Sequence, residues 1–154
     1  MRKVNIFGLD YDYIPRDPEG YRAGLVRIGH KVGAKMMGAT VYELPPGEAV
    51  CPFHYHYGNE EWLLVLDGSP VVRTTDGDVS LAAGDVVCFR AGPAGAHKVS
   101  NPGAGAAHVL MFSTKNKPSV AVYPDSDKVA IWPGNKRDDL ILHRDARAGY
   151  WEGE

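Results

Sequence analysis

At 154 residues and 44% hydrophobic content, the chain can bury one sizeable core as a single domain. A net charge of -2 makes no electrostatic case for a nucleic-acid partner or an anionic membrane surface, and no apolar run approaches a membrane span. The first ten residues lack the long apolar stretch of a signal peptide, so a soluble cytoplasmic protein is expected. Cys51 and Cys88 are too few for a disulfide framework. Both lie in apolar runs where a buried, reduced thiol is expected.

Residues 1–36 read as an N-terminal arm. Asp10 to Gly20 is polar, aromatic and broken by proline, with neither helical nor strand period, so it needs a surface to lie on. From residue 37 to 114, short strand patterns alternate with turn signals. Ala39–Leu44 stops at Pro45-Pro46-Gly47, and the stretch carrying His54 and His56 follows. Glu61–Leu66 closes at Asp67-Gly68, and Asp76-Gly77 marks a type I′ hairpin between Val71–Thr75 and Val79–Leu81. Val86–Phe89, His97–Ser100 and Ala107–Phe112 complete the core pattern. Residues 115–154 add strand-like Val120–Tyr123, Lys128–Trp132 and Leu140–His143, expected to pack on the core or on a partner. Frequent turns and no long helical pattern predict an all-β sandwich or barrel.

In Trp62-Leu63-Leu64-Val65-Leu66 both strand faces are apolar. If Leu63 and Val65 share the interior with Glu61, then Trp62, Leu64 and Leu66 need a second cover. The terminal arms or a second subunit must supply it, and a homodimer is the expected solution.

His54 and His56 stand two apart, so in a strand both imidazoles face one side. Cys51, at odd parity, should face away. Tyr57-Gly58-Asn59-Glu60 reads as a hairpin turn that returns Glu61 on the neighbouring strand beside the histidines. Two neutral imidazoles and a carboxylate at one point suit a divalent transition metal.

These residues resemble the cupin superfamily. Its first motif runs glycine, about five residues, His-x-His, about four residues, glutamate, about six residues, glycine. Gly47, His54, His56, Glu61 and Gly68 follow that order, with Gly47 one residue further out than usual; Glu60 lacks the right gap to Gly68 and is read as a rim residue. The second motif is matched at its start by Gly84 and at its end by His97 and Asn101. Between them Arg90 replaces a proline, and the loop before His97 is two residues longer. The resemblance spans Gly47 to Asn101, about half the chain, and the wider run of residues 51–56 and 60–66, together with residues 123–128, looks like a bacterial subgroup of single-domain cupins without an assigned reaction.

The resemblance implies a jelly-roll β-barrel of two antiparallel sheets, with one divalent transition metal (Fe, Mn, Ni, Zn or Cu) held by His54, His56, Glu61 and His97. A metal that prefers six ligands would keep two positions for water, O₂ or a chelating substrate. A small-molecule ligand in the barrel is therefore expected. The leading reading is a metal-dependent enzyme acting on an organic acid or sugar derivative, with an oxygenase tested first. The alternatives are an isomerase, decarboxylase or lyase, or a non-catalytic ligand-binding module. Tyr57, Arg90 and His108 are candidate catalytic or substrate-holding residues: Tyr57 at the turn beside the ligands, Arg90 as a carboxylate clamp, and His108 as a pocket-lining histidine. His30 and His143 are expected to be structural or exposed.

Overall fold

The computed structural model describes residues 1–154 and consists of thirteen short strands, one five-residue helix and three 3-10 turns. Strands β1 (Asp12–Tyr13) and β2 (Gly24–Val26) and helix α1 (Ile28–Val32) precede β3 (Met37–Leu44). Then come β4 (Tyr55–Tyr57), β5 (Glu61–Asp67), β6 (Val71–Thr74), β7 (Gly77–Ser80), β8 (Val86–Phe89) and β9 (Lys98–Ser100). Strands β10 (Ala107–Thr114), β11 (Ser119–Tyr123), β12 (Lys128–Trp132) and β13 (Leu140–His143) complete the chain. No helix is long and apolar enough to cross a membrane.

One wall of the jelly roll is a six-stranded sheet in the order β1-β2-β3-β10-β5-β8. The opposite wall is made of β13-β12-β11-β4 and β7-β6-β9. A two-way backbone bridge between His54 and His97 joins its two pieces, with N···O distances of 3.0 and 2.8 Å. All pairings are antiparallel.

Strand parity decides what lies inside. Leu63 and Val65 of β5 meet Leu44, Val72, Val99, Val109 and Met111 in the barrel core. Leu63 and Val65 are essentially sealed from solvent, and each such side chain contributes about 1.5–3 kcal/mol by burial. Leu64 and Leu66, on the other face, pack with Val41 and Leu110 beneath Val4, Ile6, Leu9 and Tyr11 of the N-terminal segment. The arm thus supplies most of the second cover, although Trp62 remains 43% exposed with its Nε1 donating to Glu60 Oε1 at 2.7 Å. The arm also enters the sheet itself, because β2 pairs with β3 and is fully buried.

Three local expectations are corrected. The Tyr57–Glu60 turn does not form a hairpin: β4 pairs with β11 and β5 pairs with β10, so the turn crosses from one wall to the other. Buried Asn59 anchors this corner. Its Nδ2 donates to Asn116 O at 3.3 Å and Ser119 Oγ at 3.0 Å, while its Oδ1 accepts from Thr114 Oγ1 at 3.0 Å and Asn116 N at 2.8 Å. The β6–β7 hairpin forms, but Thr75 and Asp76 are not left-handed as a type I′ turn requires; Gly77, at φ 123°, takes the positive φ instead. Cys88 is exposed on β8 rather than buried.

Candidate metal centre

The turn across the barrel mouth sets Glu61 against histidines from the opposite wall. Glu61 Oε2 lies 3.4 Å from His54 Nε2, 3.3 Å from His56 Nε2 and 3.5 Å from His97 Nε2. Donor atoms of His54, His56 and Glu61 all fall within 4.8 Å of one another, and His97 joins the group through Glu61. The four residues named from the motifs therefore converge on one point.

The outer nitrogens fix the protonation pattern. His54 Nδ1 sits 3.0 Å from Pro52 O, and His97 Nδ1 sits 2.9 Å from Gly95 O. A carbonyl only accepts, so both Nδ1 atoms carry the hydrogen and both Nε2 atoms of the neutral rings present lone pairs to the centre. Those lone pairs face the carboxylate oxygen. Glu61 Oε2 and His97 Nε2 are buried without a hydrogen-bond partner, as is His56 Nδ1. Converging acceptors with nothing between them are costly in a buried site, and a cation relieves that cost. The donor set, three imidazole nitrogens and one carboxylate oxygen, is one that a divalent transition metal takes readily.

Without a metal, a proton takes the cation's place. Burial opposes a charge on His54, but the Cys51 Sγ and Glu61 outweigh it and push the imidazole up to about 10. Burial pushes His97 down to about 4, and the charge on His54 adds to that effect. Glu61 is driven well below the usual carboxylate range, because His54 and His56 overcome the opposing effect of burial.

The surroundings hold the ligands still. The Phe89 ring stacks on His97 with centroids 3.6 Å apart and planes within 6°. The longer loop before His97 is taken up by a 3-10 turn at Pro93–Gly95, with Gly92 N donating to His56 O at 2.7 Å. Gly95 is packed against the Arg90 carbonyl so closely that any Cβ there would collide with it. Asn101 binds no ligand group; its Nδ2 ties Leu44 O and Gly105 O, each at 2.7 Å.

Two cavities open on the centre. A narrow chamber of about 140 Å³ reaches His54 and Glu61 and is lined by Thr40, Tyr42, Cys51, Met111 and Ser113. A wider one of about 360 Å³ reaches His56 and is lined by Ser113, Lys115, Lys117, Ser119 and Trp132. Cys51 therefore does not face away: its Sγ lies 3.5 Å from His54 Nδ1. Strand parity fails there because residues 50–53 form a bend rather than strand.

The three catalytic candidates lie elsewhere. Tyr57 projects to the outside of β4, its hydroxyl 3.4 Å from that of Tyr55, in an outer groove with Val122, Leu142 and Arg144. Arg90 is exposed and lines neither cavity. His108 donates or accepts through Nε2 with Glu43 Oε2 at 3.0 Å, in a separate cavity of about 740 Å³ beneath the N-terminal arm. Motif reading missed Tyr42, Ser113, Lys115, Lys117 and Trp132. Ser113 was within reach, since β10 sets it directly opposite Glu61 on β5.

A family model described as Cupin domain matches residues 40–113. No curated protein matches the chain. The fold is similar to that of a sugar phosphate isomerase of the cupin superfamily from Silicibacter pomeroyi, at TM-score 0.81, 21% identity and coverage of 96% of each chain. It is also similar to a proposed sugar phosphate isomerase from Acidithiobacillus ferrooxidans, at TM-score 0.77 and 25% identity, over 84% of this chain and 81% of that one. A polyketide cyclase from Streptomyces resistomycificus aligns at TM-score 0.63 and 20% identity, over 77% of this chain and 82% of that one.

Proposed function

We propose that this chain, which carries a cupin domain over residues 40–113, is a metal-dependent enzyme acting on a small hydroxy-carbonyl compound of the sugar-derivative class. The observation that carries this reading is the set of Nε2 atoms of His54, His56 and His97 converging on Glu61 Oε2 at 3.3–3.5 Å, beside two cavities. His54, His56, Glu61 and His97 would hold one divalent metal. When bound, the ion would supply Lewis-acid polarisation to a chelating substrate's oxygens.

The chain's own residues then shape the reaction. The narrow chamber, about 140 Å³ against about 360 Å³ for the wider one, suits the reactive end of a substrate rather than its whole length. Tyr42 lines that chamber, and burial, with Cys51 and Glu61 adding to it, pushes its phenol up to about 12. It therefore keeps its proton at neutral pH and can donate a hydrogen bond to a substrate oxygen. Ser113, opposite Glu61, places a second hydroxyl at the same end.

Isomerisation replaces oxygenation as the subclass to test first. Support comes from the Acidithiobacillus ferrooxidans neighbour, named as a proposed sugar phosphate isomerase at 25% identity. The test is to load tag-free protein with Mn, Fe, Ni, Zn or Cu in turn and follow aldose–ketose interconversion by proton NMR, with O₂ consumption recorded in parallel. Interconversion without O₂ uptake supports the proposal. O₂ uptake coupled to substrate loss, or binding with no turnover under any metal, contradicts it.

A further inference from the structure

The wider cavity differs in charge from every other feature of the site. Its lining carries two lysines, Lys115 and Lys117, and no carboxylate, on a chain whose net charge is -2. Neither ammonium is engaged in an ion pair: the salt bridges of this protein involve His54, His56, Arg73, His97, His108 and Arg144. Both lysines are exposed at the cavity rim, where an anion placed between them would gain Coulomb energy from each.

One of them, Lys117, lies across a glycine. Gly134 holds φ at 110°, and a Cβ at that position would lie 2.7 Å from Lys117 Cδ and 2.9 Å from Lys117 Nζ. The absent side chain leaves the space across which Lys117 lies. Neutral donors complete the lining. Ser119 Oγ accepts from Asn59 Nδ2 at 3.0 Å, which leaves its own hydroxyl hydrogen free to donate. The indole of Trp132 offers an apolar wall.

We propose that Lys115, Lys117 and Ser119 form a phosphate subsite, so that the substrate is a phosphate monoester whose dianion sits in the wide cavity while its hydroxy-carbonyl end enters the narrow chamber. Two point-like ammonium groups match the near-double negative charge of a phosphate monoester at neutral pH. A lone carboxylate would be served better by the planar fork of an arginine, and none lines this cavity. Ser113 lines both chambers, so a substrate anchored at Lys115 and Lys117 passes it before reaching Glu61. The inference rests on the proposed function for the identity of the reactive end, but the anion subsite stands on the cavity alone.

The test uses inorganic phosphate, glycerol phosphate, glycerol and acetate as calorimetric probes on the full chain, both metal-loaded and chelator-treated. The expected result is binding of both phosphates with and without metal, at least tenfold preference over acetate, and no binding of glycerol. Lys115→Ala/Lys117→Ala should lower phosphate affinity at least tenfold with metal content unchanged, and Lys115→Arg/Lys117→Arg should retain much of it. Phosphate binding that survives the double alanine change, requires the metal, or is equalled by acetate overturns the subsite. Phosphate binding as expected in a protein that isomerises nothing would contradict the proposed function and leave the subsite standing.

Discussion

Asn59 gives a quantitative handle on the corner that delivers Glu61. Replacing it with alanine removes four hydrogen bonds, but their costs differ. Thr114 Oγ1 also accepts from Glu60 N at 3.0 Å, and both Thr114 and Ser119 are half-buried, so these hydroxyls can turn to water. The backbone N–H and C=O of Asn116 lose partners held at 2.8 and 3.3 Å. Asn116 is exposed, so its freed groups take water, and the net loss of these two bonds at about 1 kcal/mol each costs about 2 kcal/mol. For a chain of this length that lowers the melting temperature by about 4–8 °C. Glu61 follows two residues later, so a loosened corner also displaces the carboxylate, and metal affinity should fall about tenfold, the lower end of the usual range for lost outer-shell support. Differential scanning calorimetry with and without metal, on wild type and Asn59→Ala, measures both effects. Unchanged melting and unchanged metal affinity would refute the assignment of Asn59 as the anchor.

Further consequences concern other parts of the barrel. The Tyr13 hydroxyl, followed by His108, holds Glu43 below the usual carboxylate range, so its contribution to stability is present above pH about 4.5 and is lost as pH falls below it. Glu43→Gln should remove that part of the acid sensitivity, seen as a smaller fall in urea midpoint from pH about 5 to pH about 3; an unaltered fall contradicts the pairing. Gly95→Ala forces the loop off the Arg90 carbonyl and with it the acceptor of His97 Nδ1. It should abolish metal retention or folding, and a fully metal-loaded variant would refute that account. We also propose a homodimer joined across exposed Trp62 and Val86, which share the outer face of paired strands β5 and β8. Light scattering should give twice the chain mass, reduced to one chain by Trp62→Glu; a wild-type monomer contradicts this.

Much of the barrel was legible because strand parity is a local property. The doubly apolar β5 correctly announced a core on one face and a cover on the other, and Glu61 lies with Leu63 and Val65 on the inner face. The convergence of His54, His56, Glu61 and His97 was legible from motif spacing. What failed is non-local. A turn's sequence does not reveal whether it joins two strands of one sheet or crosses between walls, and the four bonds of Asn59 to residues 114–119 decide that. Parity misplaced Cys51 because Val50–Phe53 bends before strand geometry begins. Lys115 and Lys117 were unreadable as site residues, since only the pairing of β4 with β11 brings that segment beside His56.

The central claim is that three neutral imidazoles and one carboxylate hold a single divalent metal. Its most direct test is elemental analysis of tag-free protein after exposure to divalent metals and dialysis, compared with His56→Ala and His97→Ala prepared in the same way. The account predicts close to one transition-metal ion per wild-type chain and substantial loss in each variant, with folding retained by circular dichroism. A wild-type chain that takes up no metal, or variants that remain fully loaded, would contradict it.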